Sequence, residues 1–266
     1  MPFVPAHLEK KKASSKKVAE EKKEEYKYIP TINRPVSSLP SRSLAYPENA
    51  VIKYRPYVFG EIKAISQSTL SSKDSFDKIL EGIDCNFDKM DLTLHDVIYL
   101  GLLRRMDTFG EDNVQIQFNC HKCTVENKQK LDMNLLEFED IQAEALPVKA
   151  KLGNKTLSFW PLTMKMMYSV LDENKENADE GEFIKKMVIN KKEEETEKII
   201  YGIDYKGTQI LKRVDELLHH GLKRFEIVCD QDECKHPNEL SLDGGEGLLM
   251  PFRTGSESVD DNISFG

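Results

Sequence analysis

Two cysteine pairs, far apart in the chain, constrain what this sequence can fold into more than any other feature. Each pair follows a short run in which apolar and polar residues alternate, as they do in a strand with one buried face. The first pair follows residues 114–119 and has the spacing C-x2-C, whereas the second follows residues 225–228, has the spacing C-x4-C and precedes another alternating run. The pairs are Cys120 with Cys123 and Cys229 with Cys234.

A structural Zn²⁺ needs four soft ligands, and two tight turns at strand ends can supply them. The C-x2-C spacing is a strong signal and C-x4-C a weaker one, but together they provide a full tetrahedral set. Three alternatives remain open: four buried thiols that act as small apolar side chains, two disulfides, or a site in which His236 replaces Cys234. The polar residues around the cysteines disfavour simple burial. The absence of a secretion signal and the odd fifth cysteine, Cys85, disfavour disulfides.

Length and composition set the remaining limits. The chain has 266 residues, 39% of them apolar, which is enough for one large domain or two modest ones. No apolar run approaches the ~20 residues of a membrane helix, so we expect no membrane partner. The formal net charge of -8 disfavours broad nucleic-acid binding.

The sequence predicts an α+β fold in five segments. Residues 1–49 form a disordered or extended arm, in which Tyr26 and Tyr28 are candidate contacts with a partner. Residues 50–162 contain small helices, the first cysteine turn and a hairpin. A helical insertion at 163–222 separates this segment from the second cysteine turn at 223–250, and a flexible tail follows at 251–266. Short antiparallel strands carry the cysteines in a zinc-ribbon-like arrangement.

Several elements are predicted in more detail. A helix begins near Ser72, and another has Thr93 as its N-cap and ends before Gly110. Gly153 and Asn154 mark the turn of a hairpin. The most regular helical pattern has Thr208 as its predicted N-cap and ends at Gly221, while residues 190–198 are predicted to be an exposed link or a solvated face.

No catalytic constellation is apparent in the sequence. No serine lies in a G-x-S-x-G context, and the glycines at 244–247 do not form a phosphate-binding motif. A catalytic zinc would need an open coordination position, whereas four cysteines favour a closed structural site. We therefore predict a protein that is not an enzyme and has no small-molecule substrate; an enzyme that uses the metal is the less favoured hypothesis.

The order of several weak motifs resembles the T4-like bacteriophage baseplate protein family, the baseplate hub and hub-assembly subunits of contractile tails. The motifs are residues 54–57 (Tyr-Arg-Pro-Tyr), the helix at 76–82, the helix at 92–104, Gly110 and the C-x2-C strand. They span roughly residues 50 to 160. Gly60 before the single Glu61, and a longer interval between Arg104 and Gly110, depart from the family pattern.

The resemblance implies a structural or assembly component of the baseplate whose partners are other phage baseplate or tail proteins. Its expected location is the virion tail baseplate, and the host cytoplasm during assembly. The residues that match the motifs become candidates for interface contacts or for the fold: Tyr54, Arg55, Pro56 and Arg104. The alternative function is that of a zinc-ribbon nucleic-acid-binding or transcription-accessory protein.

Overall fold

The structure, a computed structural model, describes residues 32–34, 38–67, 72–109, 113–174, 180–223 and 225–240. These ranges contain seven α-helices and short antiparallel strand pairs, so the fold is α+β as predicted. None of the described helices is long and apolar enough to cross a membrane. The helices are α1 (Phe59–Gln67), α2 (Ser72–Glu81), α3 (Leu94–Phe109), α4 (Met164–Asn174), α5 (Glu180–Met187), α6 (Glu193–Ile200) and α7 (Tyr205–Leu218).

The strands form one three-stranded sheet and four hydrogen-bonded pairs. The sheet has the order β1-β2-β3, and the pairs are β4-β5, β6-β9, β7-β8 and β10-β11. The strands are β1 (Ile32–Arg34), β2 (Ile52–Tyr54), β3 (Ile83–Cys85), β4 (Asn113–Asn119), β5 (Glu126–Asp132), β6 (Phe138–Glu139), β7 (Val148–Leu152), β8 (Lys155–Phe159), β9 (Gly221–Leu222), β10 (Phe225–Val228) and β11 (Pro237–Leu240).

The first hydrophobic core lies between the three-stranded sheet and helices α2, α3 and α4. Helix α3 begins directly after Thr93, whose hydroxyl accepts a hydrogen bond from the backbone N–H of Asp96 at 3.2 Å, as expected of an N-cap. Apolar residues from each element fill the interior, including Ile52, Ile79, Leu92, Val97, Leu100 and Met164.

Ordered structure begins earlier than the predicted boundary at residue 49. Leu39, Ser41 and Tyr46 are buried, and Leu39 and Tyr46 belong to the first core. Residues 38–49 are therefore part of the folded body, because burial of the Leu39 and Tyr46 side chains in the first core removes their apolar surface from water. Tyr26 and Tyr28, and the tail at 251–266, lie outside the described residues.

The second hydrophobic core lies between the β7-β8 hairpin and helices α5, α6 and α7. The hairpin turns at Gly153, whose φ of +60° suits a residue without a Cβ. Residues from both sides meet in the interior, including Ile141, Leu157, Phe159, Ile200, Leu211 and Leu218. The predicted boundary between residues 162 and 163 does not separate the two cores. The β7-β8 hairpin, which precedes this boundary, packs with α5, α6 and α7 in the second core, whereas α4, which follows it, packs in the first core.

Helix α7 differs from its predicted bounds at both ends. It begins at Tyr205, and its N-cap is Asp204, whose carboxylate accepts a hydrogen bond from the Gly207 N–H at 2.8 Å; Thr208 lies within the first turn. The helix ends at Leu218, whereas Gly221 has a φ of +105° and lies in β9.

The region predicted as an exposed link or a solvated face contains helix α6, most of whose residues are not buried. Three glutamates occupy the first turn of α6, where carboxylates stabilise the positive end of the helix dipole. Only Thr196 and Ile200 are buried, so the apolar periodicity of this segment is too sparse to indicate a helix.

Arg104 on α3 is fully buried and connects three elements of the first core. Its guanidinium donates to the backbone carbonyls of Arg55, Lys78 and Ile79 at 2.7–3.0 Å, and to the carboxylate of Glu61 at 3.2 Å. It also lies over the Tyr57 ring, 3.9 Å from the centroid. A buried guanidinium is stable only when its donors find partners, and here the partners come from the segment after β2 and from α1 and α2.

Glu61 provides the charge that compensates two arginines. It accepts two hydrogen bonds from Arg55, at 2.6 and 2.9 Å, in addition to the one from Arg104. Burial opposes ionisation of the carboxyl group, but the hydrogen bonds from Arg55 and from the Val58 N–H outweigh it and lower the pKa of Glu61.

A buried polar network joins the start of α3 to the end of α7. In the His220 ring, Nδ1 lies 2.7 Å from the Leu218 carbonyl oxygen and Nε2 lies 3.0 Å from the Thr93 hydroxyl oxygen. A carbonyl only accepts, so Nδ1 carries the proton and neutral His220 accepts from Thr93 at Nε2. The Tyr46 hydroxyl donates to Asp96 at 2.6 Å in the same network.

The ring of His95 packs edge-on against His219 and His220, and its Nδ1 is buried without a hydrogen-bond partner among the described residues. Burial lowers the pKa of His95 well below its ordinary value, and the two neighbouring imidazoles add to this effect. Burial also lowers the pKa of His220, against the opposing influence of Asp96 and Asp140. Both imidazoles are therefore neutral in the fold.

Acidification is expected to reduce the free energy of unfolding. The unfolded chain takes up protons on these histidines near pH 6.5, whereas the folded state takes them up only at lower pH. Stability is thus fully present above about pH 6.5 and is lost below it, by up to about 1.4 kcal/mol per pH unit for each histidine. Urea denaturation at about pH 7.5 and 5.5, with a chelator present to remove any metal contribution, measures this loss. The His95→Leu variant should lose less than the wild type, and an equal loss would refute the assignment.

Candidate metal centre

The two cysteine pairs meet in space at the turns of two hairpins. Strands β4 and β5 form one hairpin, and strands β10 and β11 form the other. The Sγ atoms of Cys120 and Cys234 are 3.8 Å apart, and those of Cys123 and Cys229 are 3.7 Å apart. All four sulfur atoms lie within 4.8 Å of one another, so the predicted convergence of the cysteines is present.

The two turns share one backbone plan. In each, the N–H of the first cysteine donates to the carbonyl two residues after the second cysteine: Cys120 to Val125 at 3.0 Å, and Cys229 to His236 at 2.9 Å. The residue after each second cysteine has a positive φ, 59° at Thr124 and 42° at Lys235. The left-handed residue reverses the chain so that both thiols of a pair point the same way.

The longer C-x4-C spacing fits this plan without changing it. The closing hydrogen bond and the left-handed residue keep the same positions relative to Cys234 as they have relative to Cys123. The two additional residues are accommodated within the exposed turn of 230–233, before the second cysteine. A spacing that is weak as a sequence signal thus keeps the closing hydrogen bond and the left-handed residue of C-x2-C, although the N–H of the left-handed residue donates to Gln231 in this turn and to Cys120 in the other.

The sulfur positions fit a tetrahedral metal ion and do not fit disulfides. With metal–sulfur bonds of about 2.3 Å, the edge of a regular tetrahedron of sulfurs is roughly 3.8 Å, which matches the Cys120–Cys234 and Cys123–Cys229 distances. A disulfide requires sulfurs about 2.05 Å apart, and all four cysteines are free. Four cysteines in this arrangement can bind one metal ion.

The ionisation of the thiols differs within the cluster. Burial opposes the thiolate of Cys120, but the backbone N–H groups of Cys123 and Lys122 outweigh it and lower the pKa of Cys120 to about 6. The Val125 N–H favours the thiolate of Cys123, yet burial and the neighbouring thiols raise the pKa of Cys123 overall. Burial likewise raises the pKa of Cys229. A bound dication would favour all four thiolates together, because it supplies the charge that they otherwise lack.

The two histidines near the cysteines contribute through their backbones. His236 accepts the Cys229 N–H through its carbonyl, and His121 donates its own N–H to Asn238 at 2.8 Å. Within the part of the chain that the structure describes, the group of potential ligands at this site consists of the four cysteines. Cys234, rather than His236, completes it.

The residues that match the family motifs lie at the end of β2, directly after it, and in α3. Tyr54 and Arg104 are buried within the chain, and the Tyr54 hydroxyl donates to Asp107 at 2.6 Å. Arg55 is partly exposed and paired with Glu61, and Pro56 beside it is also partly exposed. The structure therefore places these four residues together at the first core, apart from the cysteines.

Two residues at the cysteine site were not predicted from the sequence. Asn127 and Asn238 are buried beside the turns and hydrogen-bond to them. A signal was present, because each asparagine lies four residues after the second cysteine of its pair.

The α+β body carries two cysteine-bearing hairpins whose four thiols lie close enough together to bind one metal ion. The comparison with protein families gives the particular assignment: the model for the T4 bacteriophage base plate protein matches residues 36–246, most of the chain. The chain belongs to this family. Searches of curated proteins and of solved structures found no match.

Proposed function

We propose that this protein is a hub subunit or hub-assembly factor of a contractile-tail baseplate, and that it acts through protein–protein contacts without catalysis. Membership of the base plate family, over residues 36–246, is the observation that carries the baseplate role. The resemblance of residues 50–160 to hub and hub-assembly subunits supports the narrower assignment. Its partners are other baseplate or tail proteins, and it is present in the host cytoplasm during assembly and in the virion tail.

The cysteine site holds a structural Zn²⁺ in this proposal. Four thiolates occupy every position of a tetrahedral ion, so no open position is left for a substrate or a reactive water. The sulfur–sulfur distances of 3.7 and 3.8 Å support this geometry. The ion fastens the β4-β5 hairpin to the β10-β11 hairpin and thereby stabilises a fold whose task is to present contact surfaces.

The candidates for contact with neighbouring subunits are two tyrosines of the N-terminal arm and two partly exposed residues at the first core. Tyr26 and Tyr28 in the N-terminal arm remain our candidates for anchors on a partner. Arg55 and Pro56 are partly exposed and are available at the edge of the first core. For Tyr54 and Arg104 we propose a role in the fold, which their burial supports.

Mass spectrometry of purified tails and of isolated hub intermediates tests the proposal. A permanent subunit should be found in both at a fixed copy number, whereas an assembly factor should be found only in the intermediates. Absence from both would refute the baseplate hub role.

A zinc-ribbon nucleic-acid-binding function is the second candidate, and the two cysteine-bearing hairpins favour it. The net charge of -8 argues against it. Gel-shift assays at low salt distinguish the two functions, because electrostatic binding to nucleic acid is strongest there. A salt-sensitive shift would support this second function.

A further inference from the structure

Two buried asparagines connect the cysteine-bearing hairpins to each other. Asn127 lies in β5, Asn238 lies in β11, and their exposed fractions are 0% and 1%. Each is the fourth residue after the second cysteine of its pair. Buried amides are expected to have a specific partner for each of their polar atoms, and both side chains meet that expectation.

Each asparagine first supports its own turn. The Nδ2 of Asn127 donates to the Val125 carbonyl at 2.8 Å, and the Nδ2 of Asn238 donates to the His236 carbonyl at 2.9 Å. These carbonyls are the same two that accept the N–H groups of Cys120 and Cys229. The amide therefore helps to hold the backbone that closes each turn.

Each asparagine also supports the opposite turn. The Oδ1 of Asn127 accepts the N–H of Asp230, and the Oδ1 of Asn238 accepts the N–H of His121, both at 2.8 Å. Asp230 and His121 are the residues that directly follow the first cysteine of each pair. The two bonds are reciprocal, so they relate the hairpins by an approximate two-fold arrangement.

These contacts fix the position of the first cysteine of the opposite pair. A backbone N–H next to a ligand is held at a defined distance and direction, which restricts where the neighbouring sulfur can lie. Groups that hydrogen-bond to the surroundings of metal ligands in this way typically contribute about 10–100-fold to metal affinity.

We propose that Asn127 and Asn238 are positioning residues of the metal site, each of which orients the cysteine pair of the opposite hairpin. This inference rests on the proposed metal site. The bonds within each hairpin shape its own turn, and the two bonds between the hairpins form only when the hairpins are docked, so docking completes the arrangement of the four sulfurs. The docked hairpins then present a preorganised site to the ion.

Cobalt titration of the metal-free full-length protein tests this role. Co²⁺ bound by four thiolates gives intense charge-transfer and tetrahedral d–d bands, and competition with a chelator gives its affinity. We expect Asn127→Ala and Asn238→Ala each to lower Co²⁺ affinity by about 10–100-fold, while the bands at saturation keep their tetrathiolate form. Asn127→Asp keeps the size and the acceptor oxygen of asparagine, so it should lose less affinity than Asn127→Ala.

Asn190 provides a matched control. Its Oδ1 accepts the Ser158 N–H at 2.8 Å and its Nδ2 donates to the Thr156 carbonyl at 3.1 Å, so it makes the same two kinds of bond beside the β7-β8 hairpin. Asn190→Ala should leave Co²⁺ affinity within about two-fold of the wild type, because it does not contact the cysteine turns.

The outcomes separate the inference from the site on which it rests. Absence of Co²⁺ binding by the wild type would refute the metal site, and the positioning role with it. Wild-type binding combined with unchanged affinity in both asparagine variants would refute the positioning role alone. If an alanine variant does not fold, leucine replaces alanine at that position, because it keeps the volume of asparagine but lacks the acceptor oxygen: affinity equal to the wild type would contradict the proposal, and a clear reduction would support it.

Discussion

Replacing Cys120 by serine is expected to abolish metal binding and to loosen the two cysteine-bearing hairpins. Cys120 is buried and has the thiol with the lowered pKa, and it contacts Cys234 in the opposite hairpin. Removal of one of four thiolates leaves an incomplete site. If free metal is about 1,000-fold above Kd, binding to the native state alone stabilises by about 4 kcal/mol, and we expect a loss of this size. Elemental analysis and thermal unfolding with and without a chelator measure it.

Cys85 is the control for this experiment, because it is the fifth cysteine and lies in β3 of the first core. Cys85→Ser should retain one equivalent of metal per chain and should keep its response to the chelator. The structural role of the metal would be contradicted if wild-type protein contained no metal, or if Cys120→Ser and the wild type unfolded at the same temperature in metal-containing buffer.

Replacing Arg104 by methionine is expected to destabilise the first core by about 3–5 kcal/mol. Methionine fills much of the volume but removes a hydrogen-bond donor from three backbone carbonyls and one of the two cations that compensate Glu61. Arg104→Lys should recover part of the loss, because a lysine keeps the charge but cannot reproduce the fork of donors. The guanidinium of Arg104 also fills the space beside Gly82, where an added Cβ would collide with it. Urea denaturation measures each variant.

Arg213 on α7 is a matched control, because it is also a helical arginine with a carboxylate partner, Glu216, at 2.9 Å. Its side chain is 61% exposed, so the pair is screened by water and Arg213→Met should change the free energy of unfolding by no more than about 0.5 kcal/mol. Equal effects at positions 104 and 213 would show that burial of Arg104 contributes nothing of its own.

Local signals predicted those parts of the fold that depend on local chemistry. Thr93 caps α3 because its hydroxyl reaches an N–H three residues ahead, and Gly153 turns the β7-β8 hairpin because it accepts a positive φ. The spacing within each cysteine pair predicted a tight turn for the same reason, because a few neighbouring residues contain the whole requirement. The convergence of the two distant pairs was predicted from chemistry instead, since one tetrahedral ion needs four ligands.

Features that depend on distant partners were not predicted. The pairing of β6 with β9 involves two residues on each side and has no periodicity of its own. The N-cap of α7 was predicted at Thr208, which directly precedes the apolar helical pattern, whereas in the fold Asp204 caps the helix one turn earlier. Asn127 and Asn238 are ordinary polar residues until the opposite hairpin is beside them.

The alternation of the chain between its two cores has a consequence for folding during synthesis. The first core contains residues from distant parts of the chain, including Leu39, Met164 and Leu222. The residues of the second core lie between Leu39 and Leu222 in the sequence. The ribosome must therefore release most of the chain before either core is complete, and Cys234 emerges later still. Because neither core is built from one continuous stretch of sequence, cleavage of a single peptide bond between them would not release an independently folding domain. The two cores should therefore fold and unfold together.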